Sequence, residues 1–162
     1  MVHVHRQHKG FGLIEIVIAS SIISVAMISL AFTLVMASRL SARSTDLVRA
    51  NFVAEEGLEA MRFLRDKSWS SVFASLTPGT NYYLSFNAST ATWSVGTTDP
   101  GLLGGTFRRR ITVASVQRNA SDDIVSSGGT VDSNTLKVIS TVTASTTSTT
   151  TVETYLTNIF NN

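Results

Sequence analysis

Cysteine is absent from the 162 residues, so disulfide frameworks, thiolate metal sites, thiol redox motifs and cysteine nucleophiles are excluded. Histidine is confined to His3, His5 and His8, and nothing beyond residue 8 carries an imidazole. Imidazole general-base catalysis and most transition-metal sites are therefore excluded from the remainder. Proline is scarce: Pro78 and Pro100 are the only two, and neither interrupts the first half of the helix-forming sequence. Charged residues make up 15% of the chain, with a formal net charge of +2. Arg6 and Lys9 account for that excess. From Phe11 onward acids and bases balance, so there is no bulk attraction for nucleic acid. No G-x-S-x-G, S-x-x-K, P-loop or paired-acid constellation is present, and no enzyme is expected.

What remains divides into four segments. Residues 1–10 (MVHVHRQHKG) are short, polar and basic. Residues 11–38 form an apolar run whose single charge is Glu15, longer than the ~20 residues a helix needs to cross a bilayer. Residues 39–67 follow without proline, with Gly57 as the lone glycine. Their apolar positions Leu40, Leu47, Val48, Ala54, Leu58, Met61 and Leu64 fall near helical spacing, and charges fill the other faces. Glu59 is placed to pair with Arg62, and Arg62 with Asp66. One continuous helix is expected from about Phe11 to Lys67, roughly 85 Å at 1.5 Å per residue. Its first half is greasy all round and its second half amphipathic.

From residue 68 the composition shifts to serine and threonine, and both prolines appear. Strands are expected at residues 82–86, 92–95, 107–116, 136–143 and 152–159, separated by turn clusters such as Pro78-Gly79 and Asp99-Pro100-Gly101. Alternation at Ile111 and Val113 implies a sheet with one wet face. The amphipathic helix half is the natural cover for the other face. The expected class is α+β: a long N-terminal helix packed on a small antiparallel head. The run from Thr141 to Thr151 is low-complexity, and Ser145 to Thr150 are expected to form a polar hairpin loop. Trp69 and Trp93 are expected to anchor the core.

Glu15 is the most informative single residue. A carboxylate inside a membrane span costs about 2.5 kcal/mol or more at its centre and less near an interface, so it is usually paired. Lys9, or an amine made by cleavage between Gly10 and Phe11, is within reach as a partner. Between neighbouring chains such a pair would neutralise both charges in an apolar core and set register. Losing one partner would cost on the order of 3–5 kcal/mol. A plain first-turn acid satisfying helix N–H groups is the alternative reading.

Lys9-Gly10-Phe11-Gly12-Leu13-Ile14-Glu15 resembles the type III signal of type IV prepilins and type II secretion pseudopilins. The resemblance implies a pilin-like fold. It also implies cleavage after Gly10 by prepilin peptidase, N-methylation of Phe11, and subunit docking through Phe11 and Glu15. Ala54-Glu55-Glu56-Gly57-Leu58-Glu59-Ala60 and the final Thr154 to Phe160 are similar to segments of minor pilins and pseudopilins. The mid-helix proline and the C-terminal disulfide of many major pilins are missing here. The implied function is a minor structural subunit of a type IV pilus or a type II secretion pseudopilus. Its implied partners are the peptidase, other pilin subunits and an inner-membrane platform driven by a separate ATPase. The implied location is the inner membrane as a single-pass protein with its head outside the cytoplasm, then a surface pilus or periplasmic pseudopilus.

Three alternatives stand beside it. One is a tip-located subunit whose head binds DNA, a surface or a secretion substrate. Another is an uncleaved membrane-anchored β domain. The third is an ordinary secretory signal cut after Ala37. Arg108, Arg109 and Arg110 are candidates for polyanion contact, set against a strand with charges guarding a solvated edge. No cofactor is expected. Asn119, Asp122, Asp123, Asp132 and Asn134 are the only candidate calcium ligands, and their spacing matches no EF-hand.

Overall fold

The computed structural model describes residues 12–144 and 148–162. The leader, Gly10, Phe11 and residues 145–147, the first half of the expected Ser145–Thr150 loop, lie outside the described residues. The chain divides into two compact units, Met1–Ser44 and Thr45–Asn162. Helix α1 runs Leu13–Lys67. It is followed by a one-turn helix α2 (Trp69–Val72), a 3-10 turn (Phe73–Ser75) and six strands. The α+β class and the five expected strands are present. The expectation of a single sheet is corrected: β1 (Tyr83–Asn87) and β2 (Thr92–Gly96) form a separate hairpin. The four-stranded sheet has the order β4-β3-β5-β6, built from β3 (Phe107–Arg118), β4 (Ile124–Val125), β5 (Thr130–Ala144) and β6 (Thr149–Thr157).

In the first unit every large apolar side chain from Leu13 to Leu40 is exposed. The helix there is long and apolar enough to cross a membrane. Its hydroxyls are satisfied locally. Ser20 and Ser21 donate to the Val17 carbonyl, Ser24 to Ser20, Ser29 to Val25 and Thr33 to Ser29, all at 2.8–2.9 Å. Back-bonding of this kind lets polar side chains sit where no water can bond them.

In the second unit Ala50, Ala54, Gly57, Leu58, Met61 and Leu64 form the buried stripe of α1 at the three- and four-residue spacing of a helix face. Leu58, Met61 and Leu64 meet inward-pointing Ile111 and Val113 of β3, Val138 of β5 and Leu156 of β6, while Ala50 and Ala54 pack in a second cluster with Phe107, Val142 and Ala144. Trp69 stacks on Phe73 with ring centroids 4.6 Å apart, and both join that core, so α2 and its turn share the covering of the sheet with α1. Ser68 ends one helix and starts the next. Its N–H donates to the Leu64 carbonyl (3.2 Å) and its Oγ accepts from Ser71 N (3.3 Å). Asn162 adds to this corner: its Oδ1 accepts from Trp69 N (3.1 Å) and its carbonyl from Ser70 N (3.0 Å).

Gly57 is required by close approach. A Cβ there would lie 2.7 Å from Ser140 Oγ and 2.8 Å from Arg109 Cδ. The helix therefore lies nearer the sheet at that turn than any side chain would allow. The Ser/Thr run forms strand rather than loop at its ends. Thr143 pairs with Thr149 and Thr141 with Thr151, so Thr149 and Thr150 belong to β6 and correct the expected loop. Period-2 alternation explains this, because Val142, Ala144 and Val152 give one side of the ladder an apolar surface to pack. The expected Arg62–Asp66 pair is likewise corrected. Arg62 pairs with Glu59, and Asp66 with its neighbour Arg65 at 2.7 Å.

Candidate functional site: the N-terminal helix and the arginine strand

The helix start is built as a capping arrangement. Glu15 N donates to the Gly12 carbonyl at 3.0 Å, and the Glu15 carboxylate Oε2 accepts from Gly12 N at 3.0 Å. An acid three residues into a helix reaches back in this way to an N–H that has no partner within the helix. Glu15 is exposed on the helix surface, among the large apolar side chains of the first unit. In the isolated chain, then, Glu15 does what a first-turn acid does. Its carboxylate still has a second oxygen for a further donor. Gly10 and Phe11, the candidate processing pair, lie outside the described residues.

The second candidate, Arg108 to Arg110, is divided by the strand it sits on. β3 alternates buried and exposed from Phe107 onward, so neighbouring arginines face opposite ways. Arg108 is exposed and pairs with Asp99 at 3.3 Å, and Arg110 is exposed. Arg109 is only 5% exposed. Its Nη1 donates to Glu56 Oε2 (2.9 Å) and to the Val53 carbonyl (3.0 Å), both on α1. Its guanidinium lies 5.5 Å from the centre of the Trp93 ring. Burial pulls its pKa below the usual arginine value, and attraction to Glu56 opposes that shift. Arg109 is thus a clasp between helix and sheet, and its assignment to polyanion contact is corrected. Period-2 spacing in the sequence was the signal that could have separated it from its neighbours.

The acidic loop after β3 is also committed internally. Arg118 Nε donates to Asp132 Oδ2 (2.8 Å) and its Nη1 to the Asp122 carbonyl (2.8 Å). The Arg118 hydrogen bond, with help from Thr135, holds the Asp132 carboxyl below the usual carboxylate range. Asn119 Oδ1 accepts from Ser121 N and Asp123 N, both at 2.9 Å, which closes the turn. A guanidinium therefore stands among the oxygens proposed for calcium. Among the described residues no group of three or more His, Asp or Glu side chains is placed to hold a metal.

Trp69 is buried in the core, as expected of an anchor. Trp93 is half-buried, packs against the same core and meets Phe86 at 5.0 Å between ring centroids. Phe52, which lies outside the apolar positions picked out by periodicity, is 67% exposed on α1.

Comparison with known proteins agrees with the N-terminal geometry. Residues 5–31 match the family described as "Prokaryotic N-terminal methylation motif". No curated protein and no solved structure matches the chain. The matched motif is the one processed by prepilin peptidase, and an apolar membrane-length helix begins within it. That motif, with the long helix and antiparallel sheets that follow it, supports a protein of the type IV prepilin and pseudopilin kind.

Proposed function

We propose that the chain is a structural subunit of a type IV pilus or type II secretion pseudopilus, inserted in the inner membrane with its head outside the cytoplasm. Prepilin peptidase cuts after Gly10 and methylates Phe11. The mature subunit then packs through its helix against other pilin subunits, on a platform driven by a separate ATPase. Glu15 meets the Phe11 amine of a neighbouring subunit during assembly. The similarity of Ala54 to Arg62 and of Thr154 to Phe160 to minor-subunit segments favours a minor subunit, and the missing mid-helix proline and disulfide weigh only against a major pilin. The reading calls for no cofactor and no catalytic residue.

One observation carries it: the methylation motif at residues 5–31 leads into a helix whose apolar side chains are all exposed through Leu40. Such a surface needs a bilayer or other copies to cover it. The test is mass spectrometry of the N-terminal peptide from membranes of the native host. A chain beginning at N-methylated Phe11 is expected. Retention of Met1 would leave a single-pass anchor, and a start at Ser38 would mean the helix is discarded. Either result removes the assembly reading.

A further inference from the structure

The four-stranded sheet has two unlike edges. One is closed by β4, only two residues long. The other is β6, and among the described residues no strand pairs with its outer flank. A nine-residue edge of this kind presents a row of backbone N–H and C=O groups that a further strand can take up. β6 has no proline to block one, and Glu153 is its single charge. A groove of about 560 Å³ runs along this edge between β6 and α1. Its walls include Val152 and Glu153 of β6 and Phe52, Glu55, Glu59 and Arg62 of α1. Phe52, Glu55 and Glu59 stand at i, i+3 and i+7 and so share one stripe of the helix. Phe52 is 67% exposed. Glu55 has no ion pair among the described residues, and Glu59 and Glu153 stay exposed beside Arg62 and Lys137.

We propose that β6 and this groove take an extended, lysine- or arginine-rich segment of a different protein as a fifth strand of the sheet. Backbone bonds to the β6 edge supply the attachment, and side chains at alternate positions supply the selection. On the face turned to α1, an apolar residue covers Phe52 and Val152, and basic residues further along reach Glu55 and Glu59. On the opposite face, a basic residue beside Glu153 makes a cross-strand pair. Charge complementarity chooses the occupant, because three exposed carboxylates stand along the groove against the single cation Arg62. A second copy is a poor donor. Beyond the leader, the one run of basic residues is Arg108 to Arg110, and it already lies in β3 with strands on both sides. An unlike partner also agrees with the minor-subunit reading. The docking needs only the folded head, so it holds whether or not the helix enters a filament.

The probe is a capped nonapeptide of valine, threonine and lysine, titrated into the full-length chain in non-ionic detergent and followed by fluorescence anisotropy. Its counterpart with glutamate in place of lysine is titrated beside it. Binding of the lysine peptide alone is expected, weakening as salt is added. Glu55→Lys/Glu59→Lys should weaken it about tenfold, and the charge-matched Asp66→Lys/Asp123→Lys, placed away from the groove, should leave it unchanged. Tryptophan fluorescence checks that both variants keep the folded head. Hydrogen exchange read by mass spectrometry then tests strand addition itself, since amides on the outer flank of β6 gain a partner. Slower exchange confined to residues 149–157 and the facing turns of α1 is expected. No binding at millimolar peptide, equal binding of the glutamate peptide, or equal losses in the two variants overturns the proposal. Binding without protection of residues 149–157 overturns it as well, because a charged surface alone would then account for the affinity.

Discussion

The two units use one helix in opposite ways. Within Met1–Ser44 the helix is apolar on all sides and none of its large side chains is buried. Within Thr45–Asn162 it is polar on most faces, and a narrow stripe headed by Ala50 and Ala54 is buried almost completely. Where the chain supplies its own partner, small residues and a glycine let sheet and helix close together. Where it supplies none, the sequence stays greasy, and the hydrophobic effect is left to act between this chain and something else. The most hydrophobic segment is therefore not the core, and apolar content alone would have misplaced it.

The sharpest way to break that contrast is a pair of phenylalanines. Phe73 is 1% exposed and stacks on Trp69, whereas Phe32 is 73% exposed. Phe73→Ala should lower stability by about 3–5 kcal/mol, the cost of emptying a packed aromatic site. Phe32→Ala should stay within about 0.5 kcal/mol. Urea unfolding of the full chain in mild detergent, followed by tryptophan fluorescence, measures both. Equal losses would mean that the first unit carries packing of its own.

A second pair tests the same idea one residue apart. Arg109→Ala removes the bonds to Glu56 and to the Val53 carbonyl and opens space beside Trp93, and should cost about 2 kcal/mol. Arg110→Ala should fall within about 0.5 kcal/mol. If Arg110 proves the costlier, the alternation along β3 has been assigned to the wrong faces.

The third prediction concerns pH. Because Asp132 is held below the usual carboxylate range by Arg118 and Thr135, the unfolded chain takes up its proton first as pH falls. The stabilisation is fully present above the unfolded value near ~3.9 and is lost as pH drops through the lower folded value. Asp132→Asn should cost about 1.5 kcal/mol at pH 7 and much less at pH 2. The measurement is the urea midpoint at both pH values. A cost independent of pH would mean that the interaction is not ionic.

Much of this arrangement was legible in the sequence. The helix was readable to its last residue, Lys67, because fifty-odd residues without proline or a turn cluster leave little else to form. The strands were readable because β-branched residues alternate between turn signals. Glu15 stood out because a lone acid in an apolar run needs a reason. The β4 strand was not legible, since two residues, Ile124 and Val125, carry no period. Nor was the separation of β1 and β2 from the main sheet, which depends on pairing between distant segments. Arg109 was hidden by its neighbours: three identical residues look like one patch until the strand is known to turn the middle one inward.

The smallest expected effect lies where helix and sheet come closest. Gly57→Ala gains about 1 kcal/mol of helix propensity, but its Cβ would press on Ser140 Oγ and Arg109 Cδ, and such overpacking typically costs about 1–3 kcal/mol. The net should be a loss of about 1 kcal/mol. Among the described residues Ser140 Oγ is buried without a hydrogen-bond partner, so Ser140→Ala should be neutral or stabilise by a few tenths of a kcal/mol. The two changes should not add. Removing the hydroxyl frees the space that the new methyl needs, so Gly57→Ala made in the Ser140→Ala background should cost about 0.5 kcal/mol less than when made alone. Additive behaviour in a double-mutant cycle would place the pressure on Arg109 rather than on Ser140. The spacing between helix and sheet would then be set by the clasp and not by the absent side chain.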